Sequence, residues 1–142
     1  MIKNVSTRNK DVEKEMEELV GKSYPLLQRL KMGGNGSPRL FVSDASDSIK
    51  KLFEKDSYRN VCNIELRPRG IVVGFRSKLE TWAWCIPYYK LSLFQNKNSW
   101  KIYSGTEQIA VQNYKNKNTA FFRKLLEHKS NFIQSEEYID YI

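Results

Sequence analysis

"VCNIELRPRGIVVGFR", residues 61–76, decides the fold. Cys62, Ile64 and Leu66 alternate with Asn63, Glu65 and Arg67, the period of two that sends successive side chains to opposite faces of a strand. "RPRG", from Arg67 to Gly70, carries turn chemistry. Pro68 presets one dihedral and Gly70 relieves the exit. Ile71, Val73 and Phe75 then alternate on the return. Two such runs around a short turn predict an antiparallel hairpin with one face buried.

Downstream, "TWAWCIPYY" (residues 81–89) sets Trp82, Trp84 and Ile86 against Ala83 and Cys85. Past Pro87 the apolar set moves to Tyr89, Leu91 and Leu93. A shift of one residue swaps strand faces, and proline belongs at a strand start or bulge, so a corner is expected at Ile86–Pro87. "WKIYS" and "EQIAVQ", joined around Gly105, predict a further hairpin, and "RLFVS" from Arg39 a further strand. The count is five or six antiparallel strands over about residues 39–113.

Helices flank these strands. Val12, Met16, Leu19 and Val20 follow helical steps, and Leu26, Leu27 and Leu30 continue them less tidily. Pro25 should split the run, with Gly21 and Ser23 suited to a helix end and a new start. The N-terminal helical segment is placed at about 9–32, followed by a flexible loop, "GGNGSP", at 33–38. That loop lacks the preceding strand and the closing Lys-Ser or Lys-Thr of a phosphate-cradling loop. "SDSIKKLFEKD" predicts a short helix with Ile49, Leu52 and Phe53 inward. "NTAFFRKLLEHKSNFI" predicts a closing helix over about 117–134, with Phe121, Phe122, Leu125, Leu126, Phe132 and Ile133 as a broad apolar stripe. The tail, with Tyr138, Ile139, Tyr141 and Ile142, could dock on the body or on a neighbour. Clustered strands and flanking helices define an α+β domain spanning residues 1–142, its antiparallel sheet curled in a barrel-like way and capped by the last helix.

The 142 residues suffice for one domain with its own core. No apolar stretch approaches the roughly 20 residues of a membrane span, and the first residues do not read as a signal peptide, so a cytoplasmic protein is expected. Cys62 and Cys85 stand outside any CxxC pair, and His128 is the one histidine. A single-chain zinc site wants four Cys or His ligands, so no metal is expected; buried thiols are favoured over a disulfide. No nucleotide or other cofactor motif occurs.

The formal charge is +8, from 24 basic and 16 acidic residues. Residues 37–116 hold 13 basic and 7 acidic groups, so +6 of the excess lies in the strand region. Such charge can attract nucleic acid, anionic lipid or an acidic partner. The 16 lysines against 8 arginines, with many asparagines, equally fit a compositional bias. Within the first hairpin, Arg67, Arg69, Arg76 and Lys78 form the candidate anion site, Arg67, Arg76 and Lys78 facing outward by alternation. The competing reading is a solvated strand face that discourages edge pairing. Among the aromatics, Trp84 is expected in the core, Trp82 less firmly so, and Tyr88 partly exposed; Trp82 and Tyr88 complete the candidate site. Catalysis finds little support. His128 lies between Glu127 and Lys129 on the closing helix, where it is expected to be solvated.

The strand meander, "IPYYKLSLF" from Ile86 to Phe94, the two strands after it and the C-terminal helix resemble the bacterial pleckstrin-homology and GRAM-like domains, over roughly residues 60–134. The resemblance implies a strand opened by Ile-Pro-aromatic, a helix plugging the barrel, and a binding platform with no single ligand. The basic cluster of lipid-binding members corresponds loosely to Arg67, Arg69, Arg76 and Lys78; the N-terminal helices fall outside the pattern. The expected function is a non-catalytic module that binds a protein or an anionic head group. The alternative is a nucleic-acid-binding domain using a basic sheet face and exposed aromatics.

Overall fold

The computed structural model describes residues 1–54, 60–77 and 79–135. Eight strands form a single antiparallel sheet: β1 (Ile2–Asn4), β2 (Leu40–Ala45), β3 (Val61–Arg67), β4 (Gly70–Ser77), β5 (Glu80–Pro87), β6 (Ser92–Gln95), β7 (Ser99–Ser104) and β8 (Glu107–Gln112). Their spatial order is β1-β5-β4-β3-β2-β8-β7-β6. Among the described residues four α-helices accompany them: α1 (Lys10–Val20), α2 (Leu26–Lys31), α3 (Asp47–Glu54) and α4 (Thr119–Ile133). The α+β class and the antiparallel sheet stand as read from the sequence. The barrel-like closure does not: β1 and β6 are the two ends of an open sheet.

The first hairpin pairs as the alternation requires. Cys62 faces Phe75, Ile64 faces Val73, Leu66 faces Ile71 and Arg67 faces Gly70. Gly70 is obligatory for packing, since a Cβ there would run into the Ile86 carbonyl and come within 2.7 Å of Val20 Cγ1. Among the described residues eight strands replace the five or six expected. The missed β1 is three residues long, too short for periodicity to register, and pairs with β5 through Ile2–Trp84 and Asn4–Trp82.

Both faces of the central strands are covered. On the inner face Leu40, Ile64, Leu66, Ile71, Val73, Trp84 and Ile86 meet Trp100, Ile102, Ile109 and Val111 from the other half of the sheet. Phe122, Leu125 and Phe132 of α4 pack into the same cluster, as do Ile49 and Phe53 of α3. Trp100 stacks on Phe122 with ring centroids 4.6 Å apart, and Tyr88 meets Phe132 at 5.8 Å. On the outer face α1 lays Val20, Met16 and Leu19 over Val72, Ala83 and Cys85. The two cysteines therefore face opposite sides of the sheet, both buried and both free thiols.

β2 joins the two halves. It pairs with β3 through Leu40–Cys62 and Phe41–Val61, then with β8 through Val42–Val111, Asp44–Ala110 and Ala45–Ile109. The register shifts between Val42 and Asp44, a bulge that bends the strand from one half to the other.

Several local expectations need correction. The N-terminal run does split at Pro25, with Asn9 capping α1 by accepting from the Asp11 and Val12 amides. Yet Leu26, Leu27 and Leu30 do not continue an inward face; all of α2 is exposed. The "GGNGSP" loop is tied down: the Ser37 amide donates to the Ile64 carbonyl and the Leu66 amide to the Asn35 carbonyl, each within 2.8 Å. Leu126 and Ile133 sit on the solvent side of α4, so its apolar stripe is narrower than the sequence suggests. His128 is half-buried rather than solvated. Tyr138, Ile139, Tyr141 and Ile142 lie outside the described residues. No helix among the described residues is long and apolar enough to cross a membrane.

Candidate functional site

The sequence-derived cluster is dispersed: Arg67 and Arg69 are engaged with α1, while Arg76 stays on the outer face. Arg67, expected outward, is buried. Its Nε donates to Glu65 Oε1 at 2.6 Å, and its other guanidinium end donates to the Gly21 carbonyl at 2.9 Å. Alternation alone could not reveal this, because the partner is the C-terminus of α1, 46 positions away. Arg69 is engaged in the same way: its guanidinium donates to the Glu17 and Glu18 carbonyls at 2.7 and 3.2 Å. Cationic groups at a helix C-terminus satisfy its orphan carbonyls and suit its dipole. Two of the four basic residues thus clamp α1 to the hairpin. Lys78 lies outside the described residues, which leaves Arg76, exposed on β4.

The aromatic candidates divide differently from expectation. Trp84 is buried, as its strand position requires. Tyr88, expected to be partly exposed, is buried too. Pro87 ends β5, but the corner is a 3-10 turn, Tyr88–Lys90, and not a slipped register. The turn swings the Tyr88 ring onto Phe132 and leaves Tyr89 half-buried. The Tyr88 hydroxyl donates to the Arg67 carbonyl at 2.9 Å. Burial therefore raises its pKa far above the ordinary phenol value. Trp82 is half-buried on the inner face, opposite Phe75. Tyr88 offers no stacking surface to a base, whereas Trp82 also lines a hollow beside α1.

What the fold does open is a trough on the outer face of the sheet, beside α1. One hollow of about 440 Å³ is lined by Arg39, Val61, Asn63, Gly74, Arg76 and Thr81. A second, of about 330 Å³, runs toward α1 and is lined by Val5, Val12, Met16, Val72, Trp82 and Ala83, with Arg8, Glu13 and Glu65 among its polar residues. The two share Asn63, Gly74 and Thr81, so they abut. Alternation puts Asn63, Gly74 and Thr81 on this face. Gly74 lowers the floor: a Cβ there would meet the Asn63 side-chain oxygen at 2.8 Å. A glycine inside a strand marks such a close approach, and that was the available signal for the site. Arg39 gave none, because its exposure depends on how β2 sits against β3.

Arg39 and Arg76 stand exposed at one end of the trough, with no ion pair among the described residues. The nearby carboxylates are occupied, Glu65 by Arg67 and Glu13 by Arg8. The end of the trough is therefore electropositive above an apolar floor. Arginine forks suit carboxylates and phosphates.

Burial pushes the Cys62 thiol up to about 12 and the Cys85 thiol up to about 11, which suppresses the thiolate. Burial and the nearby Lys124 lower His128, on the far side of the sheet from the trough. No group of three or more His, Cys, Asp or Glu among the described residues is placed to hold a metal ion. Comparison with protein-family models, curated proteins and solved structures finds no match to this chain.

Proposed function

We propose that the chain is a non-catalytic binding module of pleckstrin-homology-like type whose ligand is an acidic polypeptide segment laid in the outer trough. One observation carries the reading. Two abutting hollows form an elongated, apolar-floored depression with Arg39 and Arg76 at its end. That length suits a short run of chain better than a single head group. Trp84 and Tyr88 are buried and present no ring to stack a base, which leaves Trp82 alone among the candidate aromatics and makes nucleic acid the weaker reading.

The test is a binding screen of fluorescent dodecapeptides, acidic and neutral, against the parent and an Arg39→Glu/Arg76→Glu variant. Both arginines are exposed, so the variant should fold normally. Acidic peptides should bind the parent and lose at least ten-fold in the variant. Equal binding to both proteins would reject the trough.

A further inference from the structure

α2 is a six-residue helix in which every residue is exposed. Leu26, Leu27 and Leu30 are 64%, 73% and 70% exposed. Their spacing of one and four places all three on one side of the helix. Six residues are far too few to hold a helix alone in water. The protein holds this one at its ends: Tyr24 and Met32 pack against the main core, and the Lys124 ammonium donates to the Met32 and Gly34 carbonyls. The scaffold thus supports a protruding helix whose apolar side meets only solvent.

The chain around α2 is basic in sequence. Between Glu18 and Asp44 the sequence holds no acidic residue, and Lys22, Arg29, Lys31 and Arg39 give that stretch +4. Lys22, Arg29 and Lys31 immediately flank or share α2, are exposed, and make no ion pair among the described residues. Three leucines on one short helix also present well under the roughly 800 Å² per partner that a standard protein interface buries. Protruding apolar side chains with exposed basic residues on and beside the same helix match the boundary of an anionic bilayer, where acyl chains take the leucines and head groups take the charge.

We propose that α2 docks the protein on an anionic membrane surface, Leu26, Leu27 and Leu30 entering the acyl boundary and Lys22, Arg29 and Lys31 lying at head-group level. The contact is peripheral and reversible. It lies at α2, apart from the trough, so either site can fail without the other.

Co-sedimentation of the full chain with vesicles tests this, using phosphatidylcholine alone and phosphatidylcholine with about one third phosphatidylglycerol. Each basic residue at an anionic surface contributes roughly five-fold to partitioning, so the parent should bind the anionic vesicles at least ten-fold better. A Leu26→Gln/Leu27→Gln/Leu30→Gln variant should melt like the parent yet lose at least ten-fold in vesicle binding. Arg76→Glu should leave vesicle binding largely intact. The proposal is overturned if the leucine variant binds as the parent does, since attachment would then reflect overall charge alone. It is equally overturned if the parent ignores anionic vesicles, or if the leucines prove instead to drive a dimer in light scattering.

Discussion

The Tyr88 hydroxyl donates to the Arg67 carbonyl at 2.9 Å, while the Tyr88 amide donates to the Arg69 carbonyl at 2.9 Å. One residue thus fastens the turn of the first hairpin from both its main chain and its side chain. Tyr88→Phe should cost about 1 kcal/mol, the net worth of one hydrogen bond. Tyr88→Ala should cost about 3–5 kcal/mol, as for other large aromatics removed from a core, and so rank with Trp84→Ala. Urea melts of the three variants check this. A Tyr88→Ala protein as stable as the parent would contradict the burial described.

Adjacent leucines on α4 should behave oppositely. Leu125 is fully buried and Leu126 is 39% exposed. Leu125→Ala should lose about 2–5 kcal/mol. Leu126→Ala should stay within about 1 kcal/mol of the parent, because little cavity forms at a half-open site. Equal losses at both positions would mean that α4 is rotated from its described orientation.

Two glycines in β4 make a second contrast. At Gly70 a methyl group meets main-chain atoms of Ile86 and Pro87. Backbone cannot step aside as a side chain can, so Gly70→Ala should cost about 3 kcal/mol or more, at or beyond the top of the usual overpacking range. At Gly74 the obstacle is only the Asn63 amide. Gly74→Ala should therefore cost about 1 kcal/mol or less while reshaping the trough. Thermal melts, followed by the peptide screen on Gly74→Ala, separate the two effects.

Acidification should weaken the fold through His128. Burial and the Lys124 ammonium lower its pKa from 6.5 in the native state, against an opposing effect of Glu127. The unfolded chain then binds more protons than the native one just below pH 6.5, so stability rises with pH there. His128 contributes its full share above about pH 6.5 and loses it as pH falls through the lowered native value. Replacing His128 with Gln should flatten that part of a pH–stability curve. An unchanged slope would exclude His128 as its source.

The sequence made the hairpin at 61–76 legible because alternation is a local signal, and its register follows from the turn. The same reasoning misplaced Arg67, since a charged residue on the outward face of a strand looks solvated until α1 arrives to cover it. Tyr88 was misjudged for a related reason. Proline marked the corner correctly, but the 3-10 turn that follows it depends on the packing of Phe132, which only the tertiary fold supplies. Gly74 was an odd glycine in a strand that alternation passed over, whereas the value of Arg39 depended on strand order. The candidate site draws on β2, β3, β4 and β5 together, and no single stretch of sequence carries it.

The bulge in β2 also governs how the molecule comes apart. Among the described residues β2 is the strand shared by the β1-β5-β4-β3 half and the β8-β7-β6 half; two residue pairs hold it to β3, extended by the Gly36–Glu65 bridge and the Val42 amide on the Asn60 carbonyl. Across that seam lies α4, with Phe122 stacked on Trp100 of one half and Phe132 against Tyr88 beside the other. The helix is a strut, and the seam can part only when the strut lets go. Amides of α4 and of the Leu40–Phe41 junction should consequently exchange with solvent in one shared opening, distinct from the slower exchange of β3 and β4.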